Sequence, residues 1–289
     1  MSEPTGTGQA SAPVAWVDSA VVASDGVRLA AYAGGLTDGP TVLLAHGYPD
    51  DHRVWNSVAA LLAERFRVIT WDARGAGASD RPTERAAYRI NQVADDLVRV
   101  AAAATAAPVH LVGHDWGSIV CWHAATREGA PSRFRSLTSV SGPSLSYAQA
   151  WLLTAARKQP VALARQLVGS SYLPVFRLPK VPELFWRSPL GRSALAAAGP
   201  PHSVDDAVAG LELYRANLGH GGAPRRCGVP ALVLAPRRDR FVTAPLQFGA
   251  PARWADDLRT AEIDGGHWGF VRHPERLVTP FEGFVASLN

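Results

Sequence analysis

Cysteine, methionine and lysine are all scarce in this sequence, which has two cysteines, one methionine and lysine only at Lys158 and Lys180. Cys121 and Cys227 share no metal-ligating or redox spacing, which argues against a disulfide framework or a zinc site. Cys121 lies in an apolar stretch and is read as a buried, reduced thiol. With lysine nearly absent, arginine carries the positive charge. Most arginines are interleaved with acids, the densest cluster is Arg237-Arg238-Asp239-Arg240, and the formal net charge is only +4. No basic face or stripe of the kind that binds nucleic acid is visible. Long apolar runs are missing too: the longest, residues 98–112, is broken by Arg99, Pro108 and His110, so no membrane span is expected. The first dozen residues, rich in Ser, Thr, Gly and Ala, lack the basic start and apolar run of a signal peptide. Residues 1–13 are therefore expected to form a disordered tail on a soluble, cytoplasmic protein. What remains is an ordinary globular composition, 47% hydrophobic and 19% charged over 289 residues, sufficient for a substantial core.

Hydrophobic patterning organises the chain. Residues 17–23 and 27–33, separated by Ser24-Asp25-Gly26, predict a hairpin with a tight Asp-Gly turn. Residues 41–45 read as a short buried strand, 54–64 as a helix, 66–71 as a second buried strand and 90–104 as a helix. A strand at 137–140 closes at Ser141-Gly142-Pro143. Strands alternating with helices imply a mostly parallel sheet covered on both faces. The alternation then stops. From about Ser144 to Gly222 there are helical segments, prolines and aromatics but no convincing strand. It resumes at residues 229–235 and 258–263, with a final helix at 274–288. A helical block in that place would sit over the carboxyl ends of the strands, where open α/β sheets bind ligands. It is read as a lid.

The most informative stretch is Pro108 to Ser118. A β-branched run leads into Gly113-His114-Asp115-Trp116-Gly117, and an apolar segment follows, which reads as strand, sharp turn and helix. The geometry is that of a nucleophile elbow, with aspartate where serine hydrolases place serine. A serine alkoxide attacks acyl carbon. A carboxylate is better suited to displacing a leaving group from saturated carbon, forming an alkyl ester. Releasing that ester takes an activated water and hence a general base, most often histidine. His267, in Gly265-Gly266-His267-Trp268 after the last strand, is the candidate, whereas His46 and His114 read as structural hydrogen-bonders. The base in turn needs an acid to hold its tautomer. Asp239 follows the strand at 231–235, and no acid lies in residues 138–145, the other loop where one could serve. The order Asp115, Asp239, His267 then matches nucleophile, acid and base of the α/β-hydrolase fold.

On these residues the chain resembles the α/β-hydrolase superfamily and, within it, the epoxide hydrolases. His46-Gly47-Tyr48-Pro49 is similar to the HGxP motif, residues 72–82 to DxRGxGxSDRP, and residues 113–117 to the GHDWG elbow. The resemblance runs from about residue 18 onward. Its N-terminal half is similar to the hydrolase portion of actinobacterial proteins that fuse an epoxide hydrolase to a short-chain dehydrogenase. No dehydrogenase portion follows His267 here, so channelling between two such sites is not expected. The resemblance implies an α/β-hydrolase fold: a mostly parallel eight-stranded sheet with helices on both faces and an inserted helical cap. The core would be residues 14–143 and 223–289 and the cap 144–222. It also implies an oxyanion hole from the backbone N–H groups of Tyr48 and Trp116, and two cap tyrosines that protonate the departing epoxide oxygen. Tyr214, in Leu213-Tyr-Arg-Ala-Asn-Leu218, matches the second. The position that aligns with the first is Val175, with Tyr172 three residues earlier. In a helical segment that offset leaves both on one face, although Pro174 lies between them.

The expected function is thus cofactor-independent opening of an apolar or aromatic epoxide to a 1,2-diol through an ester on Asp115. No metal or organic cofactor is called for. A small apolar molecule is the expected partner, with a homodimer left open. Trp116, Tyr147, Trp151 and Trp186 are candidate substrate-binding residues. The main alternative is a haloalkane dehalogenase, with the same nucleophile and Trp116, a second halide donor from Trp151 or Trp186, and Tyr48 where an HGNP asparagine would stand. A biosynthetic epoxide-opening enzyme and a non-catalytic binding module stay open as further readings.

Overall fold

The computed structural model describes residues 17–198 and 202–288, so the tail expected at 1–13 lies outside the described residues. Eight strands form one sheet: β1 (Val17–Val22), β2 (Arg28–Gly35), β3 (Thr41–Ala45), β4 (Arg67–Trp71), β5 (Val109–His114), β6 (Phe134–Val140), β7 (Ala231–Pro236) and β8 (Leu258–Ile263). Their order is β1-β2-β4-β3-β5-β6-β7-β8. β1 and β2 pair as an antiparallel hairpin and β2 runs antiparallel to β4, while every other pairing is parallel. The mostly parallel eight-stranded sheet is as expected.

Flanking helices are α1 (Asn56–Leu62), α2 (Ile90–Ala104), α3 (Trp116–Ala125) and the short α4 (Ala130–Arg133). Between β6 and β7 the described elements are helices: α5 (Leu145–Lys158), α6 (Pro160–Gly169), α7 (Leu173–Arg177), α8 (Val181–Arg187), α9 (Pro189–Ala198), α10 (Val204–Ala209) and α11 (Leu211–Asn217). After β7 come α12 (Ala244–Gly249), α13 (Gly269–Arg272) and α14 (Glu275–Ala286).

The alternating side-chain direction of a strand explains why the core is double. In β3, Leu43 and Ala45 face a core shared with α2, α3 and the helical block, whereas Val42 and Leu44 face one shared with α1, α13 and α14. Leu111 and Val112 of β5 divide in the same way. Central strands buried on both faces read as continuous apolar runs, which is why they were easy to find in the sequence. Several boundaries differ from expectation for local reasons. The helix expected at 54–64 opens as a tight 3-10 turn, His52–Trp55, because the Asp51 side chain caps the Arg53 N–H at 2.9 Å. The strand expected at 137–140 begins three residues earlier, where Phe134 already pairs with Val109.

The segment after β4, residues 72–82, is held by charge. Arg74 is buried and donates to both Asp96 carboxylate oxygens, from Nε at 2.6 Å and Nη2 at 2.7 Å. Its Nη1 reaches Asp25 in the β1–β2 turn at 2.8 Å and the Ala87 carbonyl at 2.9 Å. One guanidinium thereby ties the hairpin, this loop and α2 together. Replacing Asp96 with alanine strands most of a buried cation, so a loss of about 3–5 kcal/mol is expected in urea unfolding. A change below about 1 kcal/mol would show that the pair does not hold this loop.

Candidate active site

Asp115 occupies the sharp turn between β5 and α3, with φ of 51°, a left-handed conformation that a non-glycine residue adopts only when its surroundings enforce it. Close approach makes this turn feasible. A Cβ on Gly117 would run into the backbone carbonyls of Ala45 and His46, and one on Gly47 would lie 2.5 Å from the Asp115 Cβ. The carboxylate then lies beneath the loop after β3. Its Oδ1 accepts from the Tyr48 N–H at 2.8 Å, and the Trp116 N–H also points at the carboxylate. Burial pushes the Asp115 pKa up, against the opposing pull of His267, His114 and these two amides.

The loops after β7 and β8 bring the other two expected residues alongside. His267 Nε2 lies 3.8 Å from Asp115 Oδ2, and His267 Nδ1 is 3.0 Å from Asp239 Oδ2. The Asp239 side chain is only 1% exposed, and its Oδ1 accepts from the N–H groups of Phe241 and Val242 at 2.8 and 3.0 Å. Burial opposes ionisation of Asp239, but the His267 charge and hydrogen bond and the Val242 N–H overcome it, so its pKa is lowered. For His267, burial disfavours the cation, yet Asp239, Asp115 and Asp50 outweigh it and the pKa is raised. The three residues thus form a connected carboxylate–imidazole–carboxylate arrangement.

Two tyrosines from the helical block share the space above Asp115. Tyr214 is buried in α11, and Tyr172 is half-buried at the N-terminal cap of α7, their ring centroids 6.2 Å apart. Pro174 sits in the first turn of α7, where a missing N–H costs nothing, so the segment is helical despite it. Burial raises both phenol pKa values, and the Asp115 charge raises them further. Asp115, Trp116, Tyr172 and Tyr214 all line one cavity of about 560 Å³, whose remaining wall is largely apolar, including Leu145, Leu152, Leu173, Phe241 and Leu246. The α11 helix is fixed by Asn217, whose Oδ1 accepts from the Ile90 N–H at 2.7 Å and whose Nδ2 donates to the Tyr88 carbonyl at 2.8 Å.

Three aromatic candidates are not on this wall. Tyr147 is fully buried, donates to the Arg225 carbonyl at 2.6 Å and stacks on Trp254. Trp151 packs over Gly249 of α12. Trp186 lies against Phe176 and Phe185, also away from the cavity lining. Each is drawn off by packing between helices. His46 and His114 are hydrogen-bonded as expected: His46 Nε2 accepts from the Ala73 N–H at 2.9 Å, and His114 Nε2 lies 3.0 Å from the His267 carbonyl oxygen. Sequence reasoning assigned no role to Asp50 or His202. The buried Asp50 carboxylate accepts from the Trp268 indole N–H at 3.1 Å and lies 3.6 Å from His114 Nδ1 and 3.4 Å from His202 Nδ1. It is a second negative charge behind His267, and its one sequence signal was its place directly after Tyr48-Pro49.

The α/β-hydrolase fold family matches residues 40–274. "Probable oxidoreductase EphD" of Mycobacterium tuberculosis is 34% identical over 285 residues, covering 90% of this chain and 48% of that protein. Epoxide hydrolase A of the same organism is 35% identical over 130 residues, 45% of this chain and 40% of its own length. The chain therefore spans about half the length, or less, of these curated relatives. Among solved structures, an epoxide hydrolase from hot-environment metagenomes superposes with a TM-score of 0.76 at 24% identity, covering 94% of this chain and 99% of that one. The Bacillus megaterium epoxide hydrolase bound to an inhibitor gives a TM-score of 0.74 at 17% identity, covering 93% and 100%. These structural likenesses establish the fold. Together with the family match, they place the chain in the α/β-hydrolase fold family, where its sequence is similar to epoxide hydrolases.

Proposed function

We propose that this chain is an epoxide hydrolase acting on apolar epoxides through a covalent ester on Asp115. The observation that carries the reading is the pair of phenols, Tyr172 and Tyr214, on the same cavity wall as Asp115. Asp115 Oδ2, the oxygen not held by the Tyr48 N–H, attacks an epoxide carbon. The C–O bond breaks, and the ring oxygen takes a proton from one phenol. In the second step neutral His267 removes a proton from water, and the hydroxide adds to Asp115 Cγ. The 3.8 Å separation of Nε2 and Oδ2 leaves that side open to a water. The developing oxyanion on Oδ1 is met by the Tyr48 and Trp116 N–H groups, donors of a kind worth about 10²–10³ in rate each. Collapse of the intermediate releases the diol, and the proton taken by His267 returns to the phenolate. One water is consumed and one 1,2-diol is formed.

The helical block acts as the cap in this reading, since it supplies both acids and most of the apolar wall. The dehalogenase alternative needs a second halide donor beside Trp116. The two tryptophans considered for it, Trp151 and Trp186, do not line the cavity, and the Tyr48 hydroxyl is committed to the Ala207 carbonyl at 2.7 Å.

The first test is intact mass on a His267→Gln variant given an epoxide. An adduct of the full epoxide mass on the Asp115 peptide is expected, and its absence with every epoxide offered, alongside an adduct from haloalkanes, reverses the assignment. Tyr172→Phe and Tyr214→Phe are each expected to slow ester formation by about 10²-fold or more in single-turnover kinetics, with little effect on ester decay. Equal slowing of both steps would exclude the acid role.

The pH dependence follows from the local charges. A raised His267 pKa means that the free enzyme keeps an imidazolium to higher pH than an ordinary histidine, near 6.5. Esterification removes the Asp115 charge, one of the groups raising it, so His267 should titrate lower in the ester than in the free enzyme. Ester decay is therefore expected to persist to lower pH than the free-enzyme His267 titration seen by NMR. Coincident midpoints would disprove that coupling. With both phenols raised above the ordinary value near 10, the rate should not fall at alkaline pH before about 10.

A further inference from the structure

We infer that the outer surface of the helical block docks on an anionic lipid surface. Fourteen large apolar side chains are exposed among the described residues, and ten of them fall between Leu153 and Leu190, on α5–α9 and their connections. Four of them are exposed by 70% or more: Leu153 74%, Val168 75%, and Leu184 and Leu190 each 70%. In α6, Val161 and Val168 share a face with Arg165, at i, i+4 and i+7 spacing. In α8, Val181, Leu184 and Phe185 form an i, i+3, i+4 ridge with Lys180 before it and Arg187 at its end. Among the described residues nothing buries either ridge.

Charge identifies what would cover them. From residue 145 to 198 the chain has seven lysines and arginines, including both of its lysines, and a single acid, Glu183. All seven cations are exposed, while Glu183 is half-buried and paired with Arg215 at 2.8 Å. Each ridge is thus a strip of exposed apolar side chains set among exposed cations. A second copy docking through the same patch would bring like charges face to face. An anionic bilayer offers apolar depth for the leucines and valines and phosphate for the cations at once, the two contributions that hold peripheral amphipathic helices at an interface. No helix among the described residues is long and apolar enough to cross a membrane, so the association is superficial.

The site's geometry gives this docking a use. Leu167 of α6 is 57% exposed on this surface and also lines the Asp115 cavity, next to Leu173 and Pro174 of α7. The cavity therefore meets the outside beside the apolar patch. Resting on the epoxide reading, a docked enzyme would take its substrate from the lipid phase, and the substrate class becomes an epoxide that partitions into membranes.

Flotation of the full chain with phosphatidylcholine vesicles, with and without phosphatidylglycerol, tests docking without requiring turnover, so it stands apart from the fate of the catalytic reading. Retention on the anionic vesicles is expected, weakening with added salt. Lys180→Glu with Arg187→Glu should lower vesicle affinity about ten-fold or more. Leu153→Ser with Leu184→Ser should also lower it, while Leu61→Ser on the core should not. Hydrolysis of a water-soluble epoxide should be unchanged in all of them. Equal retention on both vesicle types, no retention on either, or a dimer in light scattering that these same substitutions dissociate would each overturn the proposal.

Discussion

For Asp115 to act as the proposed nucleophile its buried carboxylate must be ionised, and much of the architecture around it bears on that demand. The elbow at φ of 51° aims the side chain out of the sheet, and only glycine at 47 and 117 lets neighbouring backbone come near enough to help. The Tyr48 and Trp116 amides face the carboxylate, and His267 stands on its other side. Desolvation still leaves the pKa raised. The charges alternate outward from there: Asp115, His267, then Asp239 and Asp50, both of which are held ionised. In such an arrangement each group's proton affinity depends on its neighbours, so neutralising one carboxylate by esterification changes the base that must act next.

The same constraint explains how tightly the helical block is joined to the sheet. Phenols that act as the proposed acids must be placed to within fractions of an ångström, and helices resting on a sheet by apolar contact alone could slide. Polar pins prevent that. Tyr48 donates to the Ala207 carbonyl, joining the loop after β3 to α10. Gln166 of α6 accepts from the Thr243 N–H and donates to the Phe241 carbonyl, joining α6 to the loop that also holds Asp239. Asn217 fixes α11 to the start of α2. These bonds are buried or half-buried, where an unpaired partner is costly, so they act as positional locks more than as sources of net stability.

How legible each feature was in the sequence depends on the range of the forces that make it. The central strands, the elbow and the helical interruption were visible because burial on both faces, a sharp turn between glycines and a change of hydrophobic period are local patterns. The order Asp115, Asp239, His267 was readable because each follows a strand. Three other aromatic residues of the helical block were not. Tyr147, Trp151 and Trp186 all looked suited to a substrate wall, yet two are consumed by packing against Trp254 and Gly249 and the third by Phe176. Asp50, which carried no motif of its own, is a buried charge that meets side chains from three distant segments.

By itself, the sequence determined the sheet, the elbow and the carboxylate at its tip, since local sterics and periodicity decide these within a dozen residues. Tertiary structure decided which of the other aromatics of the helical block pack between helices, and that Asp50 stands behind His267. Those outcomes depend on how helices and loops settle against one another and against the sheet, a question of packing and of pairing buried polar groups that no local pattern encodes.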